Sequence, residues 1–178
     1  YMKIKPQVDQ AINDVLSSTQ FINGEHVKSF QNELAAYLDV KHVITCANGT
    51  DALQISMMAL GLKPGDEIIT PSFTYIATTE VIGLLGLKPV FVDCNPENFN
   101  ISVDEVEKAI TKKTKAIVPV HLFGQSSDMK SVMSLAKKYN LFVIEDNAQA
   151  IGSDYLGFNQ PQKTGTIGNI GCTSFFPL

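Results

Sequence analysis

From Lys41 onward, short β-branched runs alternate with stretches whose apolar positions recur at helical spacing, the pattern of a mainly parallel sheet with helices on its faces. Residues 43–47, 67–70, 89–93, 116–120, 141–146 and 170–175 read as the strands. Between them, a helix is expected from near Thr50 to a stop at Gly61, where glycine can take the left-handed cap conformation. Another starts at Ser102, with Glu105 three residues later completing a capping box and Val103, Val106 and Ile110 on one face. A third runs over 128–139 and stops at Asn140. The first forty residues differ: Val27, Phe30, Leu34, Tyr37 and Leu38 mark an amphipathic helix with no strand before it. The expected organisation is an N-terminal helical arm over 1–40, packing beside the sheet, and an α/β domain over 41–178. Residues 159–168, rich in Gly, Gln, Pro and Thr, read as the one sizeable loop.

The bulk numbers narrow the partners. A chain of 178 residues, 44% hydrophobic, is long enough for one α/β domain with a core. A net charge of -4 leaves no basic surface for nucleic acid or anionic lipid, and no run approaches the roughly 18 to 20 apolar residues of a membrane span. A soluble cytoplasmic protein is expected. All 14 cationic residues are Lys, so a bidentate guanidinium clamp on phosphate or carboxylate has to come from elsewhere. Cys46, Cys94 and Cys172 are widely spaced and odd in number, which suits buried thiols in a reducing compartment rather than a zinc site or a disulfide framework.

Ligands of open parallel sheets bind beyond the carboxyl ends of the strands, and four such places carry polar chemistry. Asn48-Gly49-Thr50-Asp51 has the form of a phosphate cup at a helix N-terminus, or of an ordinary N-cap. Pro71-Ser72-Phe73-Thr74-Tyr75 brings two aromatics that either stack on a flat ligand or pack in the core. Glu145-Asp146-Asn147-Ala148-Gln149 places a carboxylate at the exit of an apolar strand, where it needs a charged or hydrogen-bonded partner or serves as a helix cap. Thr173 and Ser174 suit phosphate oxygens or neighbouring backbone. No GxxxxGK[ST] is present, and Gly165, Gly168 and Gly171 recur with two residues between them, unlike GxGxxG. His26, His42 and His121 are too scattered for a metal site; His121 is the one placed to face the pocket, and a satisfied structural histidine is the expected role.

Taken in order, Asn48-Gly49-Thr50-Asp51-Ala52-Leu53, Pro71 to Tyr75, Glu145 to Gln149 and Ser174-Phe175-Phe176-Pro177 resemble the DegT/StrS family of nucleotide-sugar aminotransferases across essentially the whole chain. The resemblance implies the large domain of a fold-type I enzyme that uses pyridoxal 5'-phosphate (PLP). It implies that Gly49, Thr50 and Ser174 hold the cofactor phosphate and that Tyr75 stacks on the pyridine ring. Asp146 would pair with the ring nitrogen and Gln149 would reach the phenolic oxygen. The family's Schiff-base lysine would fall immediately after Leu178, with a C-terminal small domain beyond it and a second subunit completing a shared site in a homodimer. The stretch 157–165 is a few residues longer than in relatives, which weakens inference about the substrate. The expected activity moves an amino group, from glutamate, onto a keto carbon of a nucleotide-linked sugar of polysaccharide biosynthesis. The Cys46 to Ile55 run and the Thr173 to Pro177 ending look most like members acting on UDP-linked 3-keto 2-acetamido sugars. Two alternatives stay open: a sugar 3-dehydratase, with histidine for the lysine, and a non-catalytic regulatory member.

Overall fold

The computed structural model describes residues 1–176 and divides into two compact units, Tyr1–Thr45 and Cys46–Leu178. In the first unit, Pro6 suits the first turn of a helix, because its φ is preset and its missing N–H would have no partner there; it opens α1 (Lys5–Ser18). α1 ends at Thr19 in the left-handed conformation, φ 56°. Gly24 precedes α2 (Glu25–Leu38), and a Cβ at that position would lie 2.6 Å from the Gln20 carbonyl oxygen. The apolar period identifies α2 but not α1, which buries none of its residues. Residues 43–47 are not a strand: the segment is irregular and pairs with no described strand. Ile44 there is 83% exposed, so β-branched composition without a neighbour to pack against does not make a strand.

The second unit is built on a strand buried on both faces. Ile68 and Ile69 are adjacent and both fully buried, which requires cover above and below, since successive strand residues point to opposite sides. They belong to β1 (Glu67–Pro71), followed by β2 (Lys88–Val92), β3 (Thr114–Ile117), β4 (Phe142–Asp146), a two-stranded hairpin of β5 (Asp154–Tyr155) and β6 (Gln162–Lys163), and β7 (Ile170–Cys172). Five of these form one parallel sheet in the order β2-β1-β3-β4-β7. One face, with Ile68, Ala116, Val118, Ile144 and Cys172, packs against Leu53 and Met57 of α3 (Gly49–Ala59) and Val81 and Ile82 of α4 (Ala77–Leu84). The other, with Ile69, Ile117 and Val143, packs against Val106 of α5 (Val103–Ala109) and Met129, Val132, Leu135 and Ala136 of α6 (Met129–Tyr139). The architecture is the expected α/β sandwich.

Several local expectations need correction. Ser102 caps α5 without a side-chain bond, so the capping box does not form; the Glu105 carboxylate instead takes the Lys108 ammonium at 2.7 Å, and Ile110 lies beyond the helix. α4 was not singled out by the pattern. The last strand ends at Cys172, and the stretch expected as loop, 159–168, contains β6, the second strand of the hairpin. Of the three cysteines, all free, Cys172 alone is buried; Cys46 is exposed. Burial pushes the Cys172 thiol up to about 12, against a hydrogen bond with the Ser56 hydroxyl at 3.1 Å.

Candidate functional site

The chain steps from β1 outward to β2 and then back across β1 to β3, so the strand order reverses between β1 and β3, the kind of point at whose carboxyl ends open α/β sheets bind ligands. Asp146 ends β4 beside this point. Its side chain is buried (6% exposed) and accepts from the Thr78 hydroxyl at 2.7 Å and from the Ala148 N–H at 3.2 Å. Its backbone is held on both sides, N–H to the Pro119 carbonyl at 2.9 Å and carbonyl to the His121 N–H at 3.0 Å. Burial raises the Asp146 carboxyl above the ordinary carboxylate range, and the Thr78 and Ala148 bonds only partly oppose it. Among the described residues no ammonium bonds to it. Asp146 caps no helix, and what it lacks is a cation.

The second component is the N-terminus of α3. Asn48 caps it, accepting the Asp51 N–H at 2.8 Å, which leaves the first-turn N–H groups of Gly49 and Thr50 without intrahelical partners. A Cβ on Gly49 would lie 2.8 Å from Ser174 Cβ, so α3 and the segment after β7 meet only because residue 49 has no side chain. Cys172 pairs in register with Asp146, and Ser174 lies two residues, about 7 Å, further along the chain. Ser174 Oγ accepts from the Phe176 N–H at 3.3 Å and keeps its own proton to donate. Thr173 is used structurally, accepting from Asn147 Nδ2 at 3.2 Å.

Gln149 Oε1 accepts from the Phe123 N–H at 2.8 Å, which fixes the amide so that its NH2 remains available as the donor. Phe73 and Tyr75 are 52% and 74% exposed, so neither is core. Phe73 instead joins Phe99 and Phe123 in a surface cluster, with ring centroids 5.9 and 6.4 Å away. Tyr75 stands three residues before Thr78, and its carbonyl accepts the Thr78 N–H at 3.3 Å. The structure thus brings Asp146, Gly49, Thr50, Ser174 and Gln149 to one edge of the sheet and leaves Tyr75 free above the start of α4. Pro177 of the fourth motif lies outside the described residues, and the expected lysine lies beyond the sequence.

His121 is a satisfied buried histidine: Nδ1 accepts the Ser127 N–H at 3.1 Å, which puts its proton on Nε2, 2.8 Å from Glu145 Oε2. Glu145 itself escaped the sequence reasoning. Two carboxylates in succession on an apolar strand must face opposite sides, and a buried Glu demands donors; the recurring glycines at 165 and 168 were the signal for where those donors lie.

A helix N-terminus facing a small hydroxyl, with a cation-seeking carboxylate further along, suits a flat ligand carrying an anionic group and a cationic ring. The sequence profile of the DegT/DnrJ/EryC1/StrS aminotransferase family matches residues 2–178. The chain belongs to this family. It is 47% identical over 98% of its length to the UDP-2-acetamido-2-deoxy-3-oxo-D-glucuronate aminotransferase of Pseudomonas aeruginosa, covering 48% of that protein. It is equally 47% identical over 99% of its length to a pleiotropic regulatory protein of Geobacillus stearothermophilus, covering 46% of it. The crystal structure of NtdA from Bacillus subtilis with bound cofactor PMP superposes with a TM-score of 0.82 at 41% identity, over 84% of this chain and 34% of that one. The chain therefore spans about half the length of the curated family members it matches.

Proposed function

We propose that the protein is a PLP-dependent aminotransferase that moves an amino group from glutamate to a keto carbon of a nucleotide-linked sugar, of the UDP-linked 3-keto 2-acetamido class. The observation that carries this reading is the buried Asp146, which has a hydroxyl and an amide for partners and a carboxyl that burial pushes above the ordinary range. A pyridine nitrogen placed there is kept protonated by the carboxylate and, in turn, restores the carboxylate's charged form. Bound PLP supplies an electron sink for negative charge at the amino-bearing carbon. The residues of this chain bind and orient it. The free N–H groups at Gly49 and Thr50 and the Ser174 hydroxyl hold its phosphate, with the helix dipole adding to the attraction. Gln149, its carbonyl fixed by Phe123, donates to the phenolic oxygen, and the exposed Tyr75 ring covers one face of the pyridine.

The sugar preference rests on the Pseudomonas relative's name together with the Cys46 to Ile55 run. The absence of Arg from the sequence supports a homodimer in which a second copy, or a further domain of the same chain, contributes phosphate and substrate contacts. Among the described residues no helix is long and apolar enough to cross a membrane, which agrees with a cytoplasmic site of action. A regulatory reading is favoured by one observation, the name of the Geobacillus relative. Purified full-length protein separates the two. With PLP and glutamate it should aminate UDP-linked 3-keto sugars, whereas failure to aminate any UDP- or dTDP-linked keto sugar would refute the enzymatic reading.

A further inference from the structure

Three glycines that match no nucleotide-binding motif still need an explanation. Gly165 has φ +81°, and a Cβ on it would lie 2.8 Å from Asn147 Nδ2; one on Gly168 would lie 2.8 Å from the Val143 carbonyl; one on Gly171 would lie 1.9 Å from the Gly165 carbonyl. Each glycine lets the 165–171 segment fold closely onto β4 or onto itself. What the segment wraps is Glu145. This fully buried carboxylate accepts the N–H groups of Ile167 at 2.7 Å and Gly168 at 2.6 Å on Oε1. On Oε2 it accepts the Gly165 N–H at 2.9 Å and the His121 ring at 2.8 Å. Four donors occupy both oxygens, as a carboxylate's lone pairs allow. Because His121 Nδ1 accepts from the Ser127 N–H, its Nε2 is the ring atom that reaches Glu145, alongside three backbone amides.

The cradle is joined to the candidate site at two points. His121 donates its backbone N–H to the Asp146 carbonyl, and the 165–168 segment leads directly into β7, beyond which Ser174 meets Gly49. Asp146 bonds Thr78 of α4, whereas Glu145 lies near Gly168 and Val143 on the α5–α6 side. The two adjacent carboxylates therefore work from opposite faces of the sheet. We infer that Glu145 is a positioning residue: by gathering the Gly165, Ile167 and Gly168 amides and the His121 ring it fixes the spacing between Asp146 and Ser174. This rests on the cofactor reading above, because that spacing is the distance between ring nitrogen and phosphate contacts.

The test uses full-length protein and Glu145→Gln, which keeps the shape but turns one oxygen into a donor facing two donors. Hydrogen exchange of the apoprotein and PLP titration are read side by side. The amides of Gly165, Ile167 and Gly168 should exchange at least about tenfold faster, and PLP Kd should rise about tenfold. At saturating PLP, kcat should stay within about threefold of wild type, as expected for a group that touches neither cofactor nor substrate. Unchanged exchange and unchanged Kd would overturn the inference; so would a large loss of kcat with Kd intact, since Glu145 would then act on the chemistry. If Glu145→Gln does not fold, Gly168→Ala perturbs the same segment through its contact with Val143, and the same two readouts apply. Wild-type protein that takes up no PLP defeats the cofactor reading itself, a result visible before any variant is compared.

Discussion

Glu67 and Asp146 sit at opposite ends of the parallel sheet and are shielded almost equally, at 5% and 6% exposure. At the amino end, Glu67 accepts from the Thr111 hydroxyl and from the Lys88 ammonium at 2.9 Å, and these bonds, Thr111 first, hold its carboxyl below the usual range. At the carboxyl end, Asp146 also has a hydroxyl, from Thr78, but its second partner is an amide, and burial lifts its carboxyl instead. Hydrogen bonds hold Glu67 down while burial lifts Asp146, so two carboxyls of similar solvent exposure titrate in opposite directions. The amino end ties β1 to β2 with a complete set of partners. The carboxyl end is left short of positive charge, and a ligand can supply it.

The comparison breaks most decisively at Asp146. In full-length enzyme, Asp146→Asn should lower turnover by at least about 100-fold with the fold intact, because a neutral amide no longer keeps a ring nitrogen protonated. Near-normal kcat would remove Asp146 from its role, whereas Glu67→Gln should leave kcat unchanged. Next in size is the phosphate contact. Gly49→Ala pushes a methyl into Ser174 and should raise PLP Kd about tenfold, and Ser174→Ala, which deletes the hydroxyl donor, about threefold, read by titration.

Stability should move less and with opposite signs at the two ends. For Asp146, whose folded pKa is raised, the stability tied to protonation is present below the ordinary carboxylate value and is lost as pH rises through the raised one. Apoprotein with Asp146→Asn should therefore melt about 3 °C above wild type near neutrality, with the gain vanishing in acid. For Glu67, whose folded pKa is lowered, stability is present above the ordinary value and is lost as pH falls through the lowered one. Glu67→Gln should melt lower than wild type near neutrality and converge with it in acid; two shifts of the same sign in calorimetry would dissolve the contrast. Lys88→Met should give the smallest change, since the ammonium is 65% exposed and screened by water.

The sheet was legible because strands covered on both faces carry apolar runs, and β1, β3 and β4 show them as Ile68-Ile69, Ala116-Ile117 and Phe142-Val143-Ile144. α4 was not, since Thr78, Thr79, Val81, Ile82 and Gly83 are poor helix formers and the helix is held by the burial of Ala77, Thr78, Val81 and Ile82. Residues 43–47 misled for the converse reason, having strand composition and no partner. Asp146, Gly49 and Ser174 could be nominated because each lies at or beside the end of a predicted strand or the start of a predicted helix. Glu145 was harder to nominate, because its donors are backbone amides around twenty residues away, which no side-chain pattern marks and only the recurring glycines hint at.

The meeting of Gly49 with Ser174 also fixes an order of events. During synthesis β7 is the last of the five sheet strands to leave the ribosome, so the anion cup cannot exist until that strand docks beside β4. Closure of the cup therefore waits until translation has passed Ser174.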